Sequence, residues 1–100
     1  MRLKLGARIR GLRTEILFAI CVADKVYLRY TAEAVITSGV DGKHSRGSIH
    51  YMGGAIDLRT RNVKGREQII RDDIADRLGA DFDVVLEKDH IHIEYQPKVE

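Results

Sequence analysis

Apolar residues change their spacing along this chain, and that change limits the folds open to it. From Leu12 to about Leu28 they fall at Leu12, Ile16, Leu17, Ala19, Ile20, Ala23, Val26 and Tyr27, the three-and-four spacing of an amphipathic helix. In Ala55-Ile56-Asp57-Leu58-Arg59, and again from His90 to Tyr95, the spacing drops to two, as in a strand with one face in a core. Ala34 to Thr37 is a short β-rich run ended by Ser38-Gly39. Phe82 to Leu86 reads as another strand, and Glu87-Lys88-Asp89 supplies the turn into the last one. Asn62 is placed to cap a second helix running to Leu78, with Val63, Ile69, Ile70, Ile74 and Leu78 inward and Gly79 as its stop. The order helix, strand, loop, strand, helix, strand, strand predicts an α+β fold, two helices packed on one face of a small, mainly antiparallel sheet. With 100 residues, 44% of them hydrophobic, residues 1–100 form one domain.

Composition removes several function classes. Seventeen basic and 15 acidic residues are interspersed, and the net charge of +2 lacks the one-sided basic face of a nucleic-acid binder. The aromatics are scattered among apolar residues and offer no stacking platform. The basic start, Met1 to Arg10, is not followed by the unbroken apolar stretch of a signal peptide. The run Ile16 to Ala23 is far short of the roughly 20 residues that span a bilayer. The expectation is a protein cytoplasmic at synthesis and without stable membrane insertion. Cys21, the one cysteine, lies in an apolar run and reads as a buried, inert thiol.

Between the first two strands lies Gly39 to Gly54, a polar segment with five glycines and two histidines. It is too long for a simple connection, and long structured loops tend to carry function. The four histidines occupy two places, His44 and His50 in this loop and His90 and His92 in the last strand. Strand alternation puts His90, His92 and Glu94 on one face. Asp57 stands mid-strand between Ile56 and Leu58, where a carboxylate needs a partner or a metal, because burying it alone is expensive. Arg59 is near enough in sequence to be that partner, and His50 alone can serve as a loop cap. Two histidines and a carboxylate around tetrahedral zinc leave a fourth position open, as catalytic sites do, and the expected place of such a zinc site is the edge of the sheet.

Ser48-Ile49-His50-Tyr51-Met52-Gly53-Gly54-Ala55-Ile56-Asp57 resembles the Ser-x-His-x-x-Gly-x-Ala-x-Asp motif of the zinc D-alanyl-D-alanine carboxypeptidase and L-alanyl-D-glutamate endopeptidase family, which belongs with the lysostaphin-type peptidases and the hedgehog domain. Asp89-His90-Ile91-His92 is similar to its C-terminal element, an acid three residues before the last ligand. The likeness runs from about Val35 to Pro97. It implies that His50, Asp57 and His92 bind Zn2+, that Asp89 is the general base, and that His90 contacts substrate or stabilises the transition state. It further implies hydrolysis of a peptide bond in bacterial peptidoglycan, in the stem or cross-bridge, by an endolysin-like enzyme of phage or prophage that reaches the wall after release.

The sequence departs from the family at one place. Many members carry Ser-Gly-Tyr/Phe-Arg-Ser after the first strand, where the arginine grips a substrate carboxylate; here Ser38-Gly39-Val40-Asp41-Gly42 puts Asp41 in its position. Arg46 or Lys43 is a candidate substitute, and an endopeptidase, which need not bind a terminal carboxylate, fits the loss better. Glu87 rivals Asp89 as base, having the same strand parity and a longer reach. The main alternative is a catalytically inactive relative that keeps zinc and acts as a binding module. A metal-dependent nuclease needs an asparagine and a histidine downstream of His92, and the chain has neither there.

Overall fold

Alternation of buried and open residues in three strands organises the computed structural model, which describes residues 1–40 and 53–98. The expectations placed on Asp41, Lys43, His44, Arg46 and His50 lie outside the described residues. In chain order the elements are β1 (Arg2–Leu3), α1 (Thr14–Arg29), β2 (Val35–Ser38), β3 (Ala55–Arg59), a single 3-10 turn (Arg61–Val63), α2 (Glu67–Leu78), β4 (Phe82–Leu86) and β5 (His90–Tyr95). The strands form one sheet in the order β1-β2-β3-β5-β4. Among the described residues only β1 and β2 run parallel; the other neighbours are antiparallel.

Two helices cover one face of this sheet. From α1, Ile16, Ala19, Ala23, Val26 and Tyr27 are buried, at intervals of three and four. From α2 the buried row is Ile70, Ile74 and Leu78. They meet Ile56 and Leu58 of β3, Val84 of β4, and Ile91 and Ile93 of β5 in one core. The expected α+β architecture is therefore present, with strand limits at β3, β4 and β5 that match the spacing of two in the sequence. Among the described residues no helix is long and apolar enough to cross a membrane.

Four local expectations change. β1 is short and was not foreseen; it is tied on by backbone bonds from Arg2 to Ala34 and from Lys4 to Ile36, each 2.9 Å. Asn62 does not cap α2. It sits in the 3-10 turn, and its side-chain amide donates to the Glu33 carbonyl at 2.8 Å, so the helix starts at Glu67. Ile69 is 53% exposed, one position off the Ile70–Ile74–Leu78 row. Cys21 is exposed instead of buried. The apolar run around it wraps the whole circumference of α1, so its inner residues reach the core while Leu17, Phe18 and Cys21 face outward.

Tyr27 ties the helix layer to the strand that carries the site. Its ring is fully buried, and its hydroxyl donates to the carbonyl of Arg59 at 2.7 Å. Tyr27→Phe leaves that carbonyl without its donor, which should cost about 1–3 kcal/mol. Urea denaturation should give a lower midpoint with an unchanged slope. An unchanged midpoint would show that the hydroxyl does not secure this end of β3.

Candidate metal centre

In the antiparallel register of β3 and β5, Ala55 faces Glu94, Asp57 faces His92 and Arg59 faces His90. The residues between them, Ile56, Leu58, Ile91 and Ile93, have no solvent exposure and lie against the helices. With the pleat fixed by that burial, Asp57, Arg59, His90, His92 and Glu94 must all point to the face that the helices leave open. A zinc site at the sheet edge, as the sequence led us to expect, is not shown. The two ligand candidates that can be described, Asp57 and His92, stand on inner strands.

These side chains form a row of alternating acid and imidazole. Asp89 Oδ1 lies 2.7 Å from His90 Nδ1, and His90 Nε2 lies 3.7 Å from Asp57 Oδ1. The same Asp57 oxygen is 2.9 Å from His92 Nδ1, and His92 Nε2 is 3.0 Å from Glu94 Oε1. Gln96 closes this end of the row by donating its side-chain amide to Glu94. Asp57 and His92 are 13% and 19% exposed. Hydrogen bonding to Asp57 is the main force raising the His92 pKa, to about 9; burial pulls it down, and Glu94 adds to the rise. Asp89 is held below the ordinary carboxylate range, first by its hydrogen bond to His90 and then by that residue's charge.

A regular strand would turn Asp89 away from His90 and His92. Asp89 lies instead in the bend before β5, which turns its carboxylate onto His90. The rival acid, Glu87, lines a separate cleft with Thr60, Gly65 and Lys88. Glu94, which the alternation placed beside the histidines but to which no role was given, proves to be a direct partner of His92.

The motif's smaller residues have structural reasons. Gly53 has φ +77°, and a Cβ there would collide with the carbonyl oxygen of Gly11. Its own carbonyl accepts from the Arg13 amide at 2.9 Å, which anchors the entry to β3 against the start of α1. Ala55 has no exposed surface. On the other side of β3 the pairing with β2 shifts between Ile36 and Ser38, so that Ser38 faces Asp57. Thr37 donates its hydroxyl to the Asp57 carbonyl at 3.4 Å. Irregularities of this kind are common next to functional sites because they re-aim side chains.

Do Asp57 and His92 suit a metal? Donor atoms bound to one tetrahedral zinc at its usual bond lengths stand about 3.3 Å apart. The 2.9 Å between Asp57 Oδ1 and His92 Nδ1 is within a few tenths of that, so the pair fits. Among the described residues no group of three or more potential ligands has metal-binding geometry. His50, the third ligand implied by the motif, lies outside them. Compared with models of protein families, with curated proteins and with solved structures, the chain matches none.

The raised His92 pKa has a stability consequence in metal-free protein. Because the folded value, about 9, exceeds the ordinary 6.5, the stabilisation is complete below pH 6.5 and is lost as pH rises through about 9. With chelator present, the melting temperature should fall between about pH 6 and about pH 10 by more in the parent than in His92→Gln. Equal falls would mean that the Asp57–His92–Glu94 contacts do not hold the proton.

Proposed function

We propose that this chain is a zinc-dependent peptidase that hydrolyses a peptide bond in bacterial peptidoglycan, with endopeptidase action favoured, and with His50, Asp57 and His92 holding the metal. The observation that supports this most is the placement of Asp57, last residue of the first motif, directly beside His92, last residue of the second, at 2.9 Å. The two motifs are far apart in sequence, and a chance likeness in each gives no reason for their final residues to meet.

Zinc, when bound, supplies a water of lowered pKa and polarises the scissile carbonyl. The chain's own residues do the rest. Asp89 is 85% exposed at the open end of the row, where its carboxylate can accept the proton of the attacking water and return it to the leaving amine. His90 holds Asp89 in place through Nδ1 and lies between it and Asp57. Glu94 orients His92 through the second ring nitrogen, the usual task of a carboxylate behind a ligand histidine.

Purified protein should carry close to one zinc per chain, and His92→Ala and Asp57→Asn should lose it. Asp89→Asn should keep its zinc and clear a peptidoglycan suspension roughly 10² to 10⁴-fold more slowly. Glu87→Gln should retain the parent rate. Zinc bound tightly with no release of peptide from peptidoglycan would establish the binding module instead. Full zinc content in His92→Ala would overturn the ligand assignment.

A further inference from the structure

Beside the acid–imidazole row lies an open cleft of about 440 Å³, lined by Lys4, Thr37, Arg59, Arg61, Asp89 and His90. Three separate elements deliver its cations. Lys4 follows β1, Arg59 ends β3 opposite His90, and Arg61 begins the 3-10 turn.

What sets these three cations apart is that they share one cleft, while several cations elsewhere on the surface are neutralised by an acid. Arg2, Arg13, Arg29, Arg71, Arg77 and Lys98 each have a carboxylate within 4 Å. Among the described residues, Lys4, Arg59 and Arg61 have none. The one carboxylate lining the cleft, Asp89, is already engaged by His90. A concave surface that gathers three cations against one carboxylate focuses a positive field and raises the local concentration of anions. Guanidinium groups also match the paired oxygens of a carboxylate or phosphate.

We infer that this cleft is an anion subsite, in which Lys4, Arg59 and Arg61 bind a carboxylate or phosphate group of the substrate and bring the neighbouring bond to Asp89 and His90. The assignment of that anion to a substrate rests on the peptidase reading; the binding itself does not. Because Arg59 and His90 face one another across two paired strands, the anion sits two residue pairs along the sheet from Asp57 and His92, at the next pair on the same face. The subsite would thus select peptides that carry negative charge next to the bond to be cut.

Chemical-shift titration of the purified protein at low salt in the presence of chelator, with glutarate and separately with inorganic phosphate, tests this. Saturable shifts are expected at the amides of Arg59, Arg61 and His90. Arg61→Gln should weaken binding by roughly ten-fold, the effect of one lost charge-assisted hydrogen bond. Lys4→Gln should weaken it in the same direction, and both positions are exposed, so neither change threatens the fold. Lys25→Gln, an exposed lysine on α1, should bind as the parent does. Tighter glutarate binding would identify a peptide carboxylate as the natural anion, and tighter phosphate binding a phosphate-bearing wall polymer. Failure of both probes to saturate, equal weakening in Lys25→Gln, or binding that persists unchanged in Arg61→Gln would overturn the subsite. The readout needs no turnover, so absent peptidase activity with intact anion binding would remove only the peptidase reading.

Discussion

The register between β3 and β5 is held by Ile56, Leu58, Ile91 and Ile93, four side chains with no solvent exposure and no part in any chemistry. Sliding one strand by a single residue would turn its apolar pair to water and its polar residues to the core. Each such side chain contributes about 1.5–3 kcal/mol by burial, so turning out one strand's pair would forfeit roughly 3–6 kcal/mol. That is a large share of the whole stability of a small domain. The meeting of Asp57 and His92 is thus a by-product of hydrophobic pairing on the opposite face. The polar row needs little stability of its own, because the core has already chosen its geometry.

On the open face the same register creates an electrostatic problem that the row resolves internally. Asp57, Asp89 and Glu94 are three acids in close succession, and alone they would repel one another. Interleaving His90 and His92 gives each acid an imidazole within 3 Å. Asp57 and His92, the least exposed of the set, are therefore not isolated charges, which would be costly in this position. The cationic cleft lies at the outer end of the row, beyond Asp89. Charge along the face thus runs from an acidic end at Glu94 to a basic one at Arg59, Arg61 and Lys4.

Much of this was legible in the sequence because it depends on short-range periodicity. The spacing of two in Ala55–Arg59 and His90–Tyr95 names both strands to the residue, and the same parity puts His90, His92 and Glu94 together. Helix α1 follows from three-and-four spacing, although a run apolar on all sides, such as Ile16 to Val22, does not say which residues turn outward; hence Cys21. Asn62 carried a helix-cap signal, but tertiary contact with Glu33 claimed its side chain. Strand β1 has only two residues and no pattern to read. The meeting of Asp57 with His92 was suggested by two motifs, yet no rule of spacing pairs residues 35 apart; only the sheet does so. Lys4 and Arg61 gave no signal at all, since what makes them notable is their meeting with Arg59 around one cleft.

The state of His92 bears on how such a row would accept a metal. At neutral pH a side chain with a pKa of about 9 carries a proton on each ring nitrogen, and a metal ligand must give one up. Displacing that proton near pH 7 costs about 3 kcal/mol, at 1.36 kcal/mol for each pH unit. Zinc in small structural sites binds with about 10–16 kcal/mol, so the proton is a modest competitor. In exchange, the proton keeps His92 and Asp57 in contact before any metal arrives, at a separation only a few tenths of an ångström from that of two ligands on one ion. Glu94 would then hold the proton on the far nitrogen, fixing the ring in the tautomer that frees Nδ1. The contacts that raise the His92 pKa are therefore the ones that would direct its deprotonation to the correct atom.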